Sequence, residues 1–100
     1  MRKIELEMNY AIARGKNWSK DNTMVRTNSE TGVSDVYLHG HHIATVDVHT
    51  SSWGSWYGKL TVNRETLALW PTNTTKSRLR ALGADVYTKS FTTYLDGEPV

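Results

Sequence analysis

Three cations lie close together in the second half of this 100-residue chain, at Lys76, Arg78 and Arg80. They follow Thr74 and Thr75 near the start of a predicted helix. Unpaired amides and the positive end of the helix dipole favour anions at such a start, and arginine can hold a phosphate through two parallel hydrogen bonds. We therefore predict a phosphate-binding face on this helix. The alternative is that the cations form the solvated outer face of a helix that packs on the core.

Two more cations, Lys59 and Arg64, extend this basic region toward the N-terminus. Between residues 59 and 80 the sequence has five cations and a single carboxylate, Glu65. The formal net charge of the whole chain is only +2, so the basic character is local. We expect Lys59 and Arg64 to assist the helix in contacting phosphates.

Three aromatic residues, Trp53, Trp56 and Tyr57, lie in a predicted loop of small polar residues beside Lys59. Aromatic rings interleaved with cations can stack on unpaired bases, at about 1–3 kcal/mol per base. Trp, Tyr and Arg equally dominate the binding energy of protein interfaces. A further alternative is that these aromatic residues cover the sheet edge and complete the core, and we favour this role for at least one of Trp53 and Trp56.

Four histidines, at positions 39, 41, 42 and 49, are candidate metal ligands. His39 and His41 would share one face of a straight strand, but a turn predicted at Gly40 breaks that geometry. The sequence also has no cysteine, no glycine-rich phosphate loop and no nucleophile elbow. We therefore expect no metal, no cofactor and no enzymatic activity.

The cationic helix has clear boundaries in the sequence. Pro71 cannot donate to a strand ladder, so the apolar run before it should end there. One of residues 73–75 can cap the helix by accepting a hydrogen bond from a first-turn amide, and Gly83 supplies the stop. Leu79 and Leu82 lie three residues apart and share a face. We expect both leucines to point into the core and to leave the cations exposed.

The N-terminal segment, residues 2–14, has the apolar spacing of an amphipathic helix. The stripe consists of Ile4, Met8, Ala11 and Ile12. Glu5 lies off this stripe, and Gly15 is a natural stop. Residues 15–23 are polar and rich in turn formers. We predict a surface connection there, from which Trp18 packs back onto the fold.

Segments rich in β-branched and aromatic residues follow, separated by turns. We predict strands within residues 24–27, 33–48, 58–63, 66–69 and 85–95. The second of these segments is a hairpin about Gly40, which sets Val36 or Leu38 opposite Ile43. This order predicts an α+β fold with a single antiparallel sheet of three to five strands and both helices packed on one face. We expect one domain over residues 1–100.

Three segments of the chain resemble a family of small proteins encoded by tailed bacteriophages, in particular short-tailed phages. They are RKIELEMNYAIARGKNWS at residues 2–19, VYLHGHHIA at 36–44 and WPTNTTKSRLRAL at 70–82. His41 and Arg80 depart from the family pattern, which has asparagine at both places. The resemblance implies a phage origin and a role inside the infected cell, with the host cytoplasm as the location.

The order helix, three strands, helix is also similar to that of double-stranded RNA-binding domains, in which a basic helix start contacts phosphates. The resemblance is one of topology only, since Lys76 is the single lysine where that family has a lysine-rich helix start. Shared topology does not by itself imply shared function.

Our leading hypothesis is a non-enzymatic phage accessory protein that binds DNA or RNA, mainly through its phosphates. The alternative is a host-takeover module that binds and inhibits a host bacterial protein through its aromatic and arginine residues. Self-association through an exposed strand edge is a third hypothesis. No run of apolar residues is long enough to span a bilayer, so we expect no membrane association.

Overall fold

The computed structural model describes residues 2–52 and 55–100, with side chains described outside residues 48–57. This part of the chain contains three helices and eight strands. In chain order they are α1 (Lys3–Ala13), β1 (Trp18–Lys20), β2 (Thr23–Thr27), β3 (Val33–Leu38), β4 (His41–Ser52), β5 (Ser55–Val62), α2 (Arg64–Leu69), α3 (Asn73–Ala81), β6 (Val86–Lys89), β7 (Thr92–Leu95) and β8 (Glu98–Pro99). Strands β1–β5 form the large sheet and β6–β8 form the small sheet. The predicted α+β class with a five-stranded antiparallel sheet is confirmed, but the chain also has a second sheet where the prediction had a single one.

The large sheet is an antiparallel meander, in which each strand pairs with the next along the chain. The turn between β3 and β4 is made by His39 and Gly40, whose φ values are +52° and +80°. Two left-handed residues in a two-residue turn match the twist of the paired strands. The hairpin predicted about Gly40 is therefore confirmed.

The register of that hairpin differs from the prediction. Val36 lies opposite Ala44 and Leu38 lies opposite His41, with a shift in register after Val36. Ile43 is the extra residue of a bulge, and it is buried without facing Val36 or Leu38 across the ladder. A bulge adds one residue to one strand, so alternation in the sequence alone could not place it.

Apolar residues from helices and from both sheets form one core. Its members include Met8, Ile12, Val25, Val36, Ile43, Val46, Leu67, Leu79, Leu82, Val86 and Leu95. The inward orientation predicted for Leu79 and Leu82 is confirmed, and so is the stripe on α1, with Ile4 half-buried at one end of it. Each buried leucine contributes about 1.5–3 kcal/mol. These apolar faces hold the two longer helices in the fold.

The segment predicted as a fourth strand, residues 66–69, is instead part of the helix α2. The side chain of Asn63 caps this helix by accepting a hydrogen bond from the Thr66 amide at 3.1 Å. Leu67 is buried while its neighbours are exposed or half-buried. The burial of Leu67 in the core and the N-cap at Asn63 are enough to stabilise a helix of six residues.

The connection predicted over residues 15–23 contains the short strand β1, which pairs with β2. Trp18 is half-buried and packs against the core, as predicted. Gly15, with a φ of +63°, follows the end of α1, and this confirms the predicted stop. A three-residue edge strand carries too little periodicity to be visible in the sequence.

The predicted C-terminal strand folds into a hairpin, β6 and β7, to which β8 adds a third strand. Ser90 and Phe91 form its turn, with φ values of +51° and +66°. Left-handed backbone is uncommon for a bulky residue without special turn chemistry. The turn was therefore missed in an unbroken run of strand-forming residues.

The cap of α3 also differs from the prediction. Thr72, rather than a residue among 73–75, accepts a hydrogen bond from the Thr75 amide at 3.1 Å. The stop predicted at Gly83 is confirmed by its φ of +105°.

Five strands and the helix α2 lie between α1 and α3 in the chain. The order of helices and strands therefore differs from the order helix, three strands, helix of double-stranded RNA-binding domains.

Candidate functional site

The cation at the centre of the predicted phosphate face, Arg78, is buried, with 3% of its surface exposed. Its Nη1 donates to Oε2 of Glu5 at 2.8 Å, and its Nε donates to the hydroxyl of Thr23 at 2.9 Å. Its Nη2 lies 3.4 Å from Oδ1 of Asn22. The exposure predicted for Arg78 is therefore wrong, because the guanidinium is enclosed in an internal ion pair.

Glu5 is the partner that the sequence did not reveal, since it lies off the apolar stripe of α1 and is nonetheless 2% exposed. Burial by itself raises the pKa of this carboxyl. The hydroxyl of Ser77, the amide of Arg2 and the guanidinium of Arg78 together outweigh burial and hold the pKa of Glu5 below its ordinary value of 4.5. The pair is thus charged at neutral pH and joins α1 to α3.

Lys76 is also buried, at 8% exposed, and its Nζ donates to the hydroxyl of Thr88. Thr75 is buried, and its hydroxyl lies 3.0 Å from that of Thr72. Thr74 is half-buried. The exposure predicted for Lys76 is therefore wrong, and Thr75 beside it is buried as well, because α3 packs against α1, β4 and β6.

The other predicted phosphate contacts, Arg80, Arg64 and Lys59, are exposed. The Nε of Arg80 donates to the carbonyl of Val86 at 2.7 Å. Arg64 lies 3.8 Å from the carboxylate of Glu98. Two of the three cations thus have partners in separate places, with Arg80 held beside β6 and Arg64 beside β8.

The predicted aromatic loop is largely a strand. Trp56 and Tyr57 lie on β5, opposite Ser51 and Thr50 of β4. Their side chains lie outside the described residues, and so does Trp53 altogether. The role predicted for these three aromatics as a binding surface stays a prediction.

His41 and His42 make separate contacts, and the side chain of His49 lies outside the described residues. His42 lies 2.9 Å from the hydroxyl of Thr45 and 3.1 Å from the amide of Asn63, and its ring faces Tyr37 edge-on. His41 stacks on Trp70 with 5.1 Å between ring centroids. In the part of the chain that the structure describes, no group of three His, Asp or Glu residues could hold a metal ion.

A groove of about 510 Å³ runs along the outer face of α1 and is the candidate site. Its lining consists of Lys3, Leu6, Glu7, Tyr10, Ala11, Arg14, Lys16, Asn17 and Trp18. Leu6 is 57% exposed and Tyr10 is 45% exposed, although both are large and apolar. We refer to this feature as the α1 groove.

Arg14 lies over the ring of Tyr10, with 4.2 Å between Cζ and the ring centroid. A cation stacked on an aromatic face holds both side chains in place. Leu6, Tyr10 and Arg14 follow each other at intervals of four residues, so they share one face of α1. The spacing of these three residues is visible in the sequence. The sequence analysis considered only the apolar stripe that faces the core, and it missed this second, exposed stripe.

No helix in the described part of the chain is long and apolar enough to cross a bilayer. No curated protein and no solved structure matches the chain. The model of one family, described as Kyanoviridae Gp96 protein, matches residues 1–100. This match confirms the predicted resemblance to small proteins of tailed phages. The narrower resemblance to proteins of short-tailed phages stays a prediction. The chain belongs to the Kyanoviridae Gp96 protein family.

Proposed function

We propose that this phage protein is a host-takeover module that binds a host bacterial protein through the α1 groove. The observation that carries the proposal is the exposure of Leu6 and Tyr10, one helical turn apart, on the face of α1 that lines the groove. Large apolar side chains that remain exposed together mark interaction sites more often than isolated ones do.

The chemistry of the groove supports a protein partner. Tyrosine, tryptophan and arginine supply most of the binding energy at protein interfaces, and Tyr10, Trp18 and Arg14 line the α1 groove together. The contact between Arg14 and Tyr10 restrains both side chains before binding. Less conformational entropy is then lost on association.

Nucleic-acid binding through α3 ranks lower, because it depends on cations that are already used inside the protein. Exposing Arg78 would leave the carboxylate of Glu5 unpaired, and breaking such a buried pair costs about 3–5 kcal/mol. A net charge of only +2 supplies little compensating attraction to phosphates.

The test is affinity purification of the tagged protein from infected bacteria, with and without nuclease treatment. The groove variant is Leu6→Glu with Tyr10→Ala. Leu69→Glu is the matched control, because Leu69 is an exposed leucine on α2 that does not line the groove. We expect one stoichiometric protein that survives nuclease, is retained by the control and is lost by the groove variant.

Other outcomes would reject the proposal. Recovery of nucleic acid in place of a protein, with direct binding to labelled DNA or RNA that weakens steeply with salt, would favour the nucleic-acid function. A partner retained equally by the groove variant would place the interface elsewhere. Concentration-dependent dimers in light scattering, abolished by the groove variant, would make the groove a self-association surface.

A further inference from the structure

The α1 groove has the length and spacing that suit a helical partner. Its lining runs along α1 from Lys3 to Arg14, a distance of about 16 Å at the rise of an α-helix. Leu6 and Tyr10 stand one turn apart along this line, and Trp18 lines the groove from β1. Amphipathic helices present apolar residues at matching intervals of three and four positions.

The charged residues around the groove are mostly cations. Lys3, Arg14 and Lys16 are exposed, and none of them makes an ion pair with a described residue. Glu7 is the one carboxylate among the described residues that line the groove, and it lies 2.9 Å from Nζ of Lys20. The groove therefore combines apolar side chains with a surplus of positive charge.

A second copy of this chain fits the groove poorly. A symmetric dimer places the same patch on both sides of its interface, so the unpaired cations of one copy would face those of the other. Like charges across an interface oppose association and exclude wrong partners. Charge complementarity instead favours a different protein that carries carboxylates.

We propose that the occupant of the α1 groove is an acidic amphipathic helix of the partner protein, which specifies the partner of the protein-binding function proposed above. Apolar residues of that helix pack on Leu6, Tyr10 and Trp18. Its flanking Glu or Asp side chains lie beside the cations of the groove. The apolar contact supplies affinity, while the charges select the partner and orient it.

The experiment uses three fluorescent peptides of about 18 residues, or about five helical turns. The first repeats Leu at intervals of three and four, with Glu and Gln elsewhere. The second has Lys in place of Glu. The third has the composition of the first in a shuffled order without an apolar stripe. Fluorescence anisotropy measures binding of each to the full-length protein.

We expect the first peptide to bind at least about tenfold more tightly than the other two, which corresponds to about 1.4 kcal/mol. Its affinity should fall as NaCl is raised. In the variant Arg14→Glu with Lys16→Glu, the preference should reverse toward the Lys peptide. Lys3→Glu serves as a second variant at the start of α1, and thermal unfolding followed by circular dichroism checks that both variants fold.

The inference is overturned if the three peptides bind equally, if none binds at about 1 mM, or if charge reversal leaves the preference unchanged. These outcomes are separate from those of the purification from infected cells. A nuclease-resistant partner lost in the groove variant, together with no preference for the acidic peptide, would keep the protein-binding function and reject the acidic helix. Absence of any partner would instead reject the function itself.

Discussion

Two cations of α3 are buried, whereas the cations on α1 and at its end are exposed. Arg78 and Lys76 on α3 are buried and hydrogen-bonded inside the protein. Lys3 on α1 and Arg14 at its end are exposed beside an apolar groove. The difference lies in what covers each helix. Arg78 and Lys76 contact Glu5 on α1, Thr23 on β2 and Thr88 on β6, whereas Lys3 and Arg14 line the groove on α1.

This comparison shows that a cationic stripe on a helix does not by itself identify a binding face. A guanidinium enclosed by neighbouring elements needs a carboxylate and further acceptors, because an unpaired buried charge is costly. Glu5, Thr23 and Asn22 supply those groups for Arg78. The same residue type at the end of α1 instead stacks on Tyr10 at the surface.

The largest effect should come from removing the buried cation. We expect Arg78→Ala to lower the free energy of unfolding by about 3–5 kcal/mol, because the Glu5 carboxylate is left buried and unpaired. Arg80→Ala, at an exposed position on the same helix, should cost no more than about 1.5 kcal/mol for its hydrogen bond to Val86. Urea unfolding measures both, and equal losses would contradict the contrast between buried and exposed cations.

Acid should weaken the same pair. The folded-state pKa of Glu5 lies below its ordinary value of 4.5, so its stabilising contribution is complete above that value and is lost as pH falls through the folded-state pKa. Urea unfolding of the wild type and Glu5→Gln across this acidic range measures the effect. The wild type should lose more stability than the variant as pH falls, and parallel pH profiles would show that Glu5 is not the group responsible.

A moderate gain in stability should come from the β6–β7 turn, where Phe91 has a φ of +66° and its side chain is fully exposed. Glycine adopts this backbone without the cost of about 1–2 kcal/mol that other residues incur. We expect Phe91→Gly to raise the free energy of unfolding by about 1 kcal/mol. Phe91→Ala is the control, since it removes the ring and keeps the cost, and thermal unfolding distinguishes the two.

The smallest effect on stability should come from the α1 groove itself. Leu6→Ala should change the free energy of unfolding by no more than about 0.5 kcal/mol, because the side chain lies largely in solvent. Leu79→Ala, which creates a cavity in the core, should cost about 2–5 kcal/mol. Similar losses for the two variants in chemical denaturation would mean that Leu6 supports the fold.

Local patterns in the sequence were enough to predict the main elements. Periodicity identified α1 and its stop at Gly15, the hairpin about Gly40, and α3 with its stop at Gly83. These features depend on residues within a few positions of each other, where spacing and backbone preference act directly. The fold class follows from their order along the chain.

The features that were missed depend on distant partners or on weak local signals. The burial of Arg78 requires Glu5, which no spacing rule connects to it. The helix α2 rests on a cap at Asn63 and on the burial of Leu67 by tertiary packing. The candidate site was predicted on α3 because cations were counted without knowing which elements cover them, and the exposure of the groove on α1 is likewise a tertiary property.

The ion pair between α1 and α3 also has a consequence for synthesis, because its two residues are 73 positions apart in the chain. A ribosome that adds about 5–20 residues per second needs about 4–15 s to travel between them. The first helix therefore leaves the ribosome well before the arginine that pairs with Glu5 has been made. Through most of translation the Glu5 carboxylate has no guanidinium partner, and the pair can form only when synthesis is nearly complete.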